Sequence, residues 1–191
     1  MTITTVLAYF LIACYFAIER LLRKGKQALN LKPGVTDAGS SQLLWIGGVV
    51  SILLVVAAPI LNTYKVGYWS HANVGWLGLT LMLGGLAIRY WAAQTLGEFY
   101  TRTLQIIEEQ KIVDRAPYNV IRHPGYLGTL LMEIGAGLAV TNWVVLLAIV
   151  VIGTTSRAYR ISVEEKMLEA SFGDEYKIYS DNTWKLVPFL Y

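Results

Sequence analysis

The chain reads as an all-α integral membrane protein of about five transmembrane helices, the last two a tight helical hairpin, with a loop and a C-terminal tail on one cytoplasmic face. Three observations predict this class: the composition, the spacing of the apolar runs and the alternation of basic loops. Hydrophobic residues make up 55% of the 191 and charged residues only 15%, against about 25% charged in ordinary globular domains. Mean hydropathy is +0.48. The net charge of +3 is too slight to argue for nucleic acid, and its meaning lies in how it is spread around the spans. Cys14, the single cysteine, sits in an apolar run. That excludes an intrachain disulfide and leaves the compartment open.

A helix that crosses a bilayer needs about 20 mostly apolar residues. Residues 6–22 meet this and end in Glu19-Arg20, whose charges belong at an interface. Residues 43–61 fit, with Pro59 near the end, where a helix break costs little. Residues 74–96 fit although they contain Arg89. The stretch 126–155 is broken by Thr141-Asn142 and then Trp143, a residue type enriched at interfaces. It divides into 125–140 and 143 to about 162, the helical hairpin. The first five residues lack the basic region of a cleaved signal peptide, so the first span is expected to stay.

Basic residues test that count. Arg23, Lys24, Lys26 and Lys32 lie between spans one and two, and Arg102, Lys111, Arg115 and Arg122 between three and four. Lys166, Lys177 and Lys185 follow span five, whereas the 62–73 loop holds only Lys65 and the Thr141-Asn142 turn holds none. Positive charge marks the cytoplasmic side. The N-terminus is then outside, and residues 97–124 and 163–191 emerge together on the cytoplasmic face. Four spans would separate Arg122 from the tail.

Two polar clusters border the hairpin. Arg122-His123-Pro124-Gly125-Tyr126-Leu127-Gly128 sets a guanidinium, an imidazole and a phenol around a Pro-Gly helix start. Pro124 turns His123 away from the α region, and Gly125 permits close backbone approach to a ligand. Arg160 and Glu164 share a helix face four residues apart, with Glu165 at its edge. An isolated surface pair of that kind contributes only about 0.3–0.5 kcal/mol. Beside the first cluster, the guanidinium suits a carboxylate bidentately and the glutamate suits ribose hydroxyls. Arg89 is expected to snorkel to the interface, and Glu133 poses the same question inside span four. No metal is expected: His71 and His123 fall on opposite sides, and no Cys/His cluster exists. Neither a common nucleotide-binding glycine fingerprint nor a nucleophile motif is present.

Together, Gln110-Lys111-Ile112-Val113, Ala116-Pro117-Tyr118, the 122–128 cluster, Arg160 with Glu164-Glu165, and Phe172-Gly173-Asp174-Glu175-Tyr176 with Tyr179 resemble the isoprenylcysteine carboxyl methyltransferases. The resemblance covers residues 97–191. It implies a catalytic core there, behind three transmembrane helices in 1–96, with the loop and tail acting as a cofactor lid. It implies S-adenosyl-L-methionine as cofactor, with S-adenosyl-L-homocysteine as product. The acceptor would be the carboxylate of a lipophilic prenylcysteine-type substrate entering from the bilayer, among membrane lipids. Carried over by position, the cofactor residues are Gln105, Gln110, Lys111, Ile112, Val113, Tyr118, His123, Pro124, Gly125, Tyr126 and Glu164, and Arg160 meets the acceptor carboxylate. Gln110 stands where the family often has His, and Ala116 where Gly is usual. A similar C-terminal signature occurs in phospholipid methyltransferases and in nicotinamide-dependent membrane reductases, which leaves those acceptors and that cofactor as alternatives. The expected site is a multi-pass membrane protein facing the cytoplasm, in the cell membrane of a prokaryote or the endoplasmic reticulum of a eukaryote.

Overall fold

In the computed structural model, residues 1–22, 37–100 and 111–189 are described. Helices stand at all five expected positions: α1 Ile3–Leu22, α2 Ser40–Thr63, α3 Ala72–Leu96, α4 Pro124–Ala139 and α5 Trp143–Phe172. A 3-10 turn, Gly97–Phe99, follows α3, and a short α6, Asp174–Asp181, follows α5. By length and composition α1, α2 and α5 are long and apolar enough to cross a membrane.

The helix ends follow from local chemistry. Pro124 opens α4 at a position where its missing N–H costs nothing. Asn142 caps α5 by accepting from Val145 N at 3.0 Å, and its amide donates to Asn62 Oδ1 at 2.7 Å and Val66 O at 2.8 Å. One buried asparagine therefore pins the hairpin to the end of α2. Beyond the apolar span that ends near residue 162, α5 continues as a polar helix to Phe172, where the Phe172-Gly173-Asp174 stop signal stands in the sequence. The segment from Glu164 to Ala170 consists of good helix formers, and only Gly173, with φ 55°, ends the run. This extension carries the second polar cluster out of the apolar layer on a rigid rod.

The closest pairing is α3 against α4, along glycines spaced seven apart on each helix: Gly78 and Gly85 facing Gly135 and Gly128. A Cβ on Gly128 would lie 2.6 Å from Gly85 O, and one on Gly135 would lie 2.5 Å from Gly78 O. Backbones this near exclude any side chain, the usual basis of tight helix association in an apolar solvent. The seam also sets Arg89 under the start of α4, where a Cβ on Gly125 would meet its Nη1 at 3.0 Å. The apolar core includes Ala8, Val55, Met82, Ala136 and Ile149, drawn from all five long helices.

Candidate active site

A cavity of about 1230 Å³ runs from the α5 extension and the tail into the bundle, larger than the roughly 300–1,000 Å³ of a typical single-ligand pocket. The sequence-predicted Lys111, Ile112, Val113, Tyr118, His123, Gly125, Tyr126, Arg160 and Glu164 all line it. Pro124 does not: as the first residue of α4 it is fully buried and serves the helix start. Gln105 and Gln110 lie outside the described residues.

Tyr126 joins the two polar clusters. Its hydroxyl donates to Glu164 Oε2 at 2.6 Å and accepts from Arg160 Nε at 2.9 Å. The Arg160–Glu164 pair is itself loose, at 3.9 Å, so the phenol does the coupling. The other side of Arg160 is held from α2's threshold: Nη1 donates to Asp37 Oδ1 at 2.8 Å, Ser40 Oγ at 3.0 Å and Ser41 Oγ at 2.6 Å. Asp37 is 2% exposed. Burial raises its carboxyl, but the Ser41 and Ser40 hydrogen bonds and then Arg160 bring it below the usual range. Asp37 was not singled out from sequence. Its signal was present, an aspartate just ahead of Ser40-Ser41 at the start of an apolar run.

Glu165 faces the other way and anchors the tail. It accepts from Arg122 Nε at 2.9 Å, pairs with His123 Nε2 at 3.3 Å and with Lys185 Nζ at 3.2 Å. Against the upward pull of burial, the hydrogen bonds from His123, Arg122 and Lys185 hold its carboxyl down at about 2. Backbone bonds tie the same tail to the loop, Arg122 N to Trp184 O at 2.8 Å and His123 N to Lys185 O at 3.2 Å. Arg122 Nη1 also donates to the carbonyls of Ser180 and Thr183. Tyr179 donates to Tyr118 O at 2.8 Å, and burial pushes its phenol up to about 12. It remains a donor throughout the ordinary pH range.

Two further ion pairs lie deeper on the cavity wall. Arg89 does not snorkel: Nε donates to Glu19 Oε1 at 2.7 Å, Nη1 donates to Gly125 O at 3.1 Å, and the guanidinium lies 5.1 Å from the Tyr100 ring centroid. Tyr100 donates to the same Glu19 oxygen at 2.7 Å. Glu19 therefore turns inward rather than toward an interface, because an inward partner in the apolar layer outweighs a longer route to water. Glu133 is paired bidentately with Arg157, at 2.6 and 3.0 Å. Arg157 lies inside the expected fifth span, a signal that sequence reasoning passed over. Among the described residues, the Arg157 Nε and Tyr176 Oη atoms are buried without a partner.

A profile of the phospholipid methyltransferase family matches residues 74–175, just over half of the 191 residues. Protein-S-isoprenylcysteine O-methyltransferase B of Arabidopsis thaliana is 29% identical over 144 residues, spanning 74% of this chain and 72% of that protein. A probable protein-S-isoprenylcysteine O-methyltransferase of Oryza sativa subsp. indica is 30% identical over 125 residues, 64% of this chain and 64% of that one. The chain thus spans about two thirds of the length of these relatives. Among solved structures, a eukaryotic intramembrane Ras methyltransferase, an isoprenylcysteine carboxyl methyltransferase, superposes with a TM-score of 0.67 over 94% of this chain and 67% of that one. At 20% identity that likeness is one of fold. The family match runs from α3 into α6 and takes in both polar clusters, and the chain is accordingly an integral membrane member of the phospholipid methyltransferase family, similar in sequence and fold to the isoprenylcysteine methyltransferases.

Proposed function

We propose that this protein is a membrane methyltransferase that transfers a methyl group from S-adenosyl-L-methionine to the carboxylate of a prenylated cysteine, in a protein or in a small-molecule mimic. One observation carries the reading. The cavity that holds the Arg160–Tyr126–Glu164 cluster continues between α1 and α2, where Ile12, Phe16, Trp45 and Ile52 line it. A polar head and an apolar tail are thus accommodated in one continuous space. The names of the relatives support the same acceptor.

The residues present fit the cofactor. Glu164 and Tyr126 offer a carboxylate and a phenol beside one another, suited to ribose hydroxyls and to a cationic donor. Tyr176 lines the same cavity with a buried, unpartnered hydroxyl. When bound, the cofactor supplies a methyl group on a cationic sulfur, and an O–CH₃ bond forms as the S–CH₃ bond breaks and its electron pair stays on sulfur. A carboxylate nucleophile needs no general base, so the work of the protein is alignment and exclusion of water. Arg160 holds the acceptor carboxylate, and residues 97–191 form the catalytic core. The tail, strapped down through Glu165, closes over the cofactor as a lid. Five spans with the N-terminus outside put this lid in the cytoplasm.

Titration of the purified chain with S-adenosylmethionine, S-adenosylhomocysteine and NADPH tests the cofactor. The first two are expected to bind and the third not to. Incubation with N-acetyl-S-farnesylcysteine is expected to yield a base-labile methyl ester. The family's other acceptor class is the amine of a phospholipid head. Arg160 at the cavity wall disfavours a cationic head, so phosphatidylethanolamine is expected to remain unmethylated. Methylation of that lipid alone would overturn the carboxylate reading.

A further inference from the structure

The three nitrogens of Arg160 are used unequally. Nε donates to the Tyr126 hydroxyl, and Nη1 donates to Asp37, Ser40 and Ser41. Nη2 makes no hydrogen bond with any described residue, and it is not one of the sealed, unpartnered polar atoms, while the side chain lines the cavity. A guanidinium grips a carboxylate at two points through adjacent nitrogens, either the two Nη atoms or Nε with one Nη. Each of those pairs already has a member engaged. The two-point grip expected from sequence is therefore closed off, and its end-on form is closed by Asp37 with Ser40 and Ser41, whose hydroxyls both donate to Asp37 Oδ1.

We propose that Asp37 is a positioning residue that turns Arg160 into a one-point clamp for the acceptor carboxylate. This rests on the proposed methyl transfer to a carboxylate. Nη2 takes one carboxylate oxygen, and the other stays free of hydrogen bonds to form the ester bond. A carboxylate with both oxygens tied to a guanidinium is bound more tightly but is a weaker nucleophile, and binding that is stronger in the ground state than in the transition state slows turnover. Asp37 is built for this task. It is itself fixed by Ser40 Oγ at 3.0 Å, Ser41 Oγ at 2.7 Å and Ser41 N at 3.2 Å, so it keeps the guanidinium in one orientation. Its negative charge also offsets that of Arg160, limiting how strongly an anion is held.

The test uses the full chain purified in detergent, as wild type, Asp37→Ala and Asp37→Asn. Calorimetry with N-acetyl-S-farnesylcysteine, in the presence of S-adenosylhomocysteine, reads acceptor binding without turnover. Steady-state rates with S-adenosylmethionine read kcat and KM. Asp37→Ala removes the charged acceptor of Nη1 and the group that holds the Ser40 and Ser41 hydroxyls in place, and is expected to bind the acceptor more tightly while kcat falls on the order of tenfold to a hundredfold. S-adenosylhomocysteine affinity should stay unchanged. Asp37→Asn keeps an oxygen for Nη1 and should fall between wild type and Asp37→Ala. If Asp37→Ala does not fold, a reduced kcat with unweakened acceptor binding in Asp37→Asn supports the proposal. Weaker acceptor binding with kcat retained would overturn it, as would a joint loss of acceptor and cofactor binding. A wild type that binds S-adenosylmethionine yet methylates no carboxylate would sink the functional reading instead.

Discussion

Tyr126 couples the residues on which cofactor and acceptor would depend, since one hydroxyl donates to Glu164 and accepts from Arg160. Glu164→Gln removes the charge but keeps the shape. It is expected to weaken S-adenosylhomocysteine binding about tenfold, the scale of one charge-assisted hydrogen bond. Arg160→Ala should instead lower kcat/KM for the acceptor by about a hundredfold or more, with cofactor affinity changed only a few-fold. Calorimetry beside steady-state kinetics separates the two effects. Because both side chains meet Tyr126, the double variant should be non-additive. If Arg160→Ala abolished cofactor binding and left KM alone, the two roles would be misassigned. Both residues were legible in the sequence as an i,i+4 pair. Their intermediary was legible only as a neighbour of His123.

At the scale of the element, the glycine seam and the docked tail carry the site. Gly84 and Gly85 are adjacent on α3, yet a Cβ on Gly84 would meet nothing within 4 Å while one on Gly85 would run into the backbone of α4. Gly85→Leu should therefore destabilise the bundle by about 1–3 kcal/mol or more, and Gly84→Leu should be tolerated. Thermal melts in detergent decide it: equal melting temperatures for the two variants would remove the seam from the explanation. The tail depends on pH through Glu165. Its folded-state carboxyl titrates at about 2, below the ordinary value of 4.5. The unfolded state therefore binds the proton first as pH falls. The stabilisation is complete above about pH 4.5 and is lost as pH drops toward 2. Pepsin should cut within residues 174–187 of the wild type progressively between pH 4 and 2, and Glu165→Gln should already be cut at pH 4. Identical cleavage of both proteins across that window would mean that Glu165 does not hold the tail.

At the scale of the whole molecule, the prediction is topological. Single cysteines at Tyr64, Asp114 and Asp181, all exposed positions, can be labelled with an impermeant maleimide in a Cys14→Ser background. Asn142 is fully buried and gives no signal. Position 64 should react in intact cells, and 114 and 181 only after permeabilisation. Reaction of 114 and 181 from opposite sides would be incompatible with the Arg122–Glu165 and Tyr126–Glu164 contacts.

The five helices and the two polar clusters at 122–128 and 160–165 were readable before any fold was known, because hydropathy, a helix-opening proline and an i,i+4 spacing are local properties of the chain. What became of the buried charges was not. Arg89 was expected to reach for an interface and instead pairs with Glu19, 70 residues away. Arg157 finds Glu133 on the neighbouring helix. Arg160 is gripped by Asp37, 123 residues back in the chain. Hydropathy measures how much of a helix avoids water and says nothing about which face meets which neighbour. In this chain that choice was made by packing, with close-approaching glycines on α3 and α4 deciding where backbones could touch. In an apolar layer, each charge then had to find its partner on whichever helix that packing brought near.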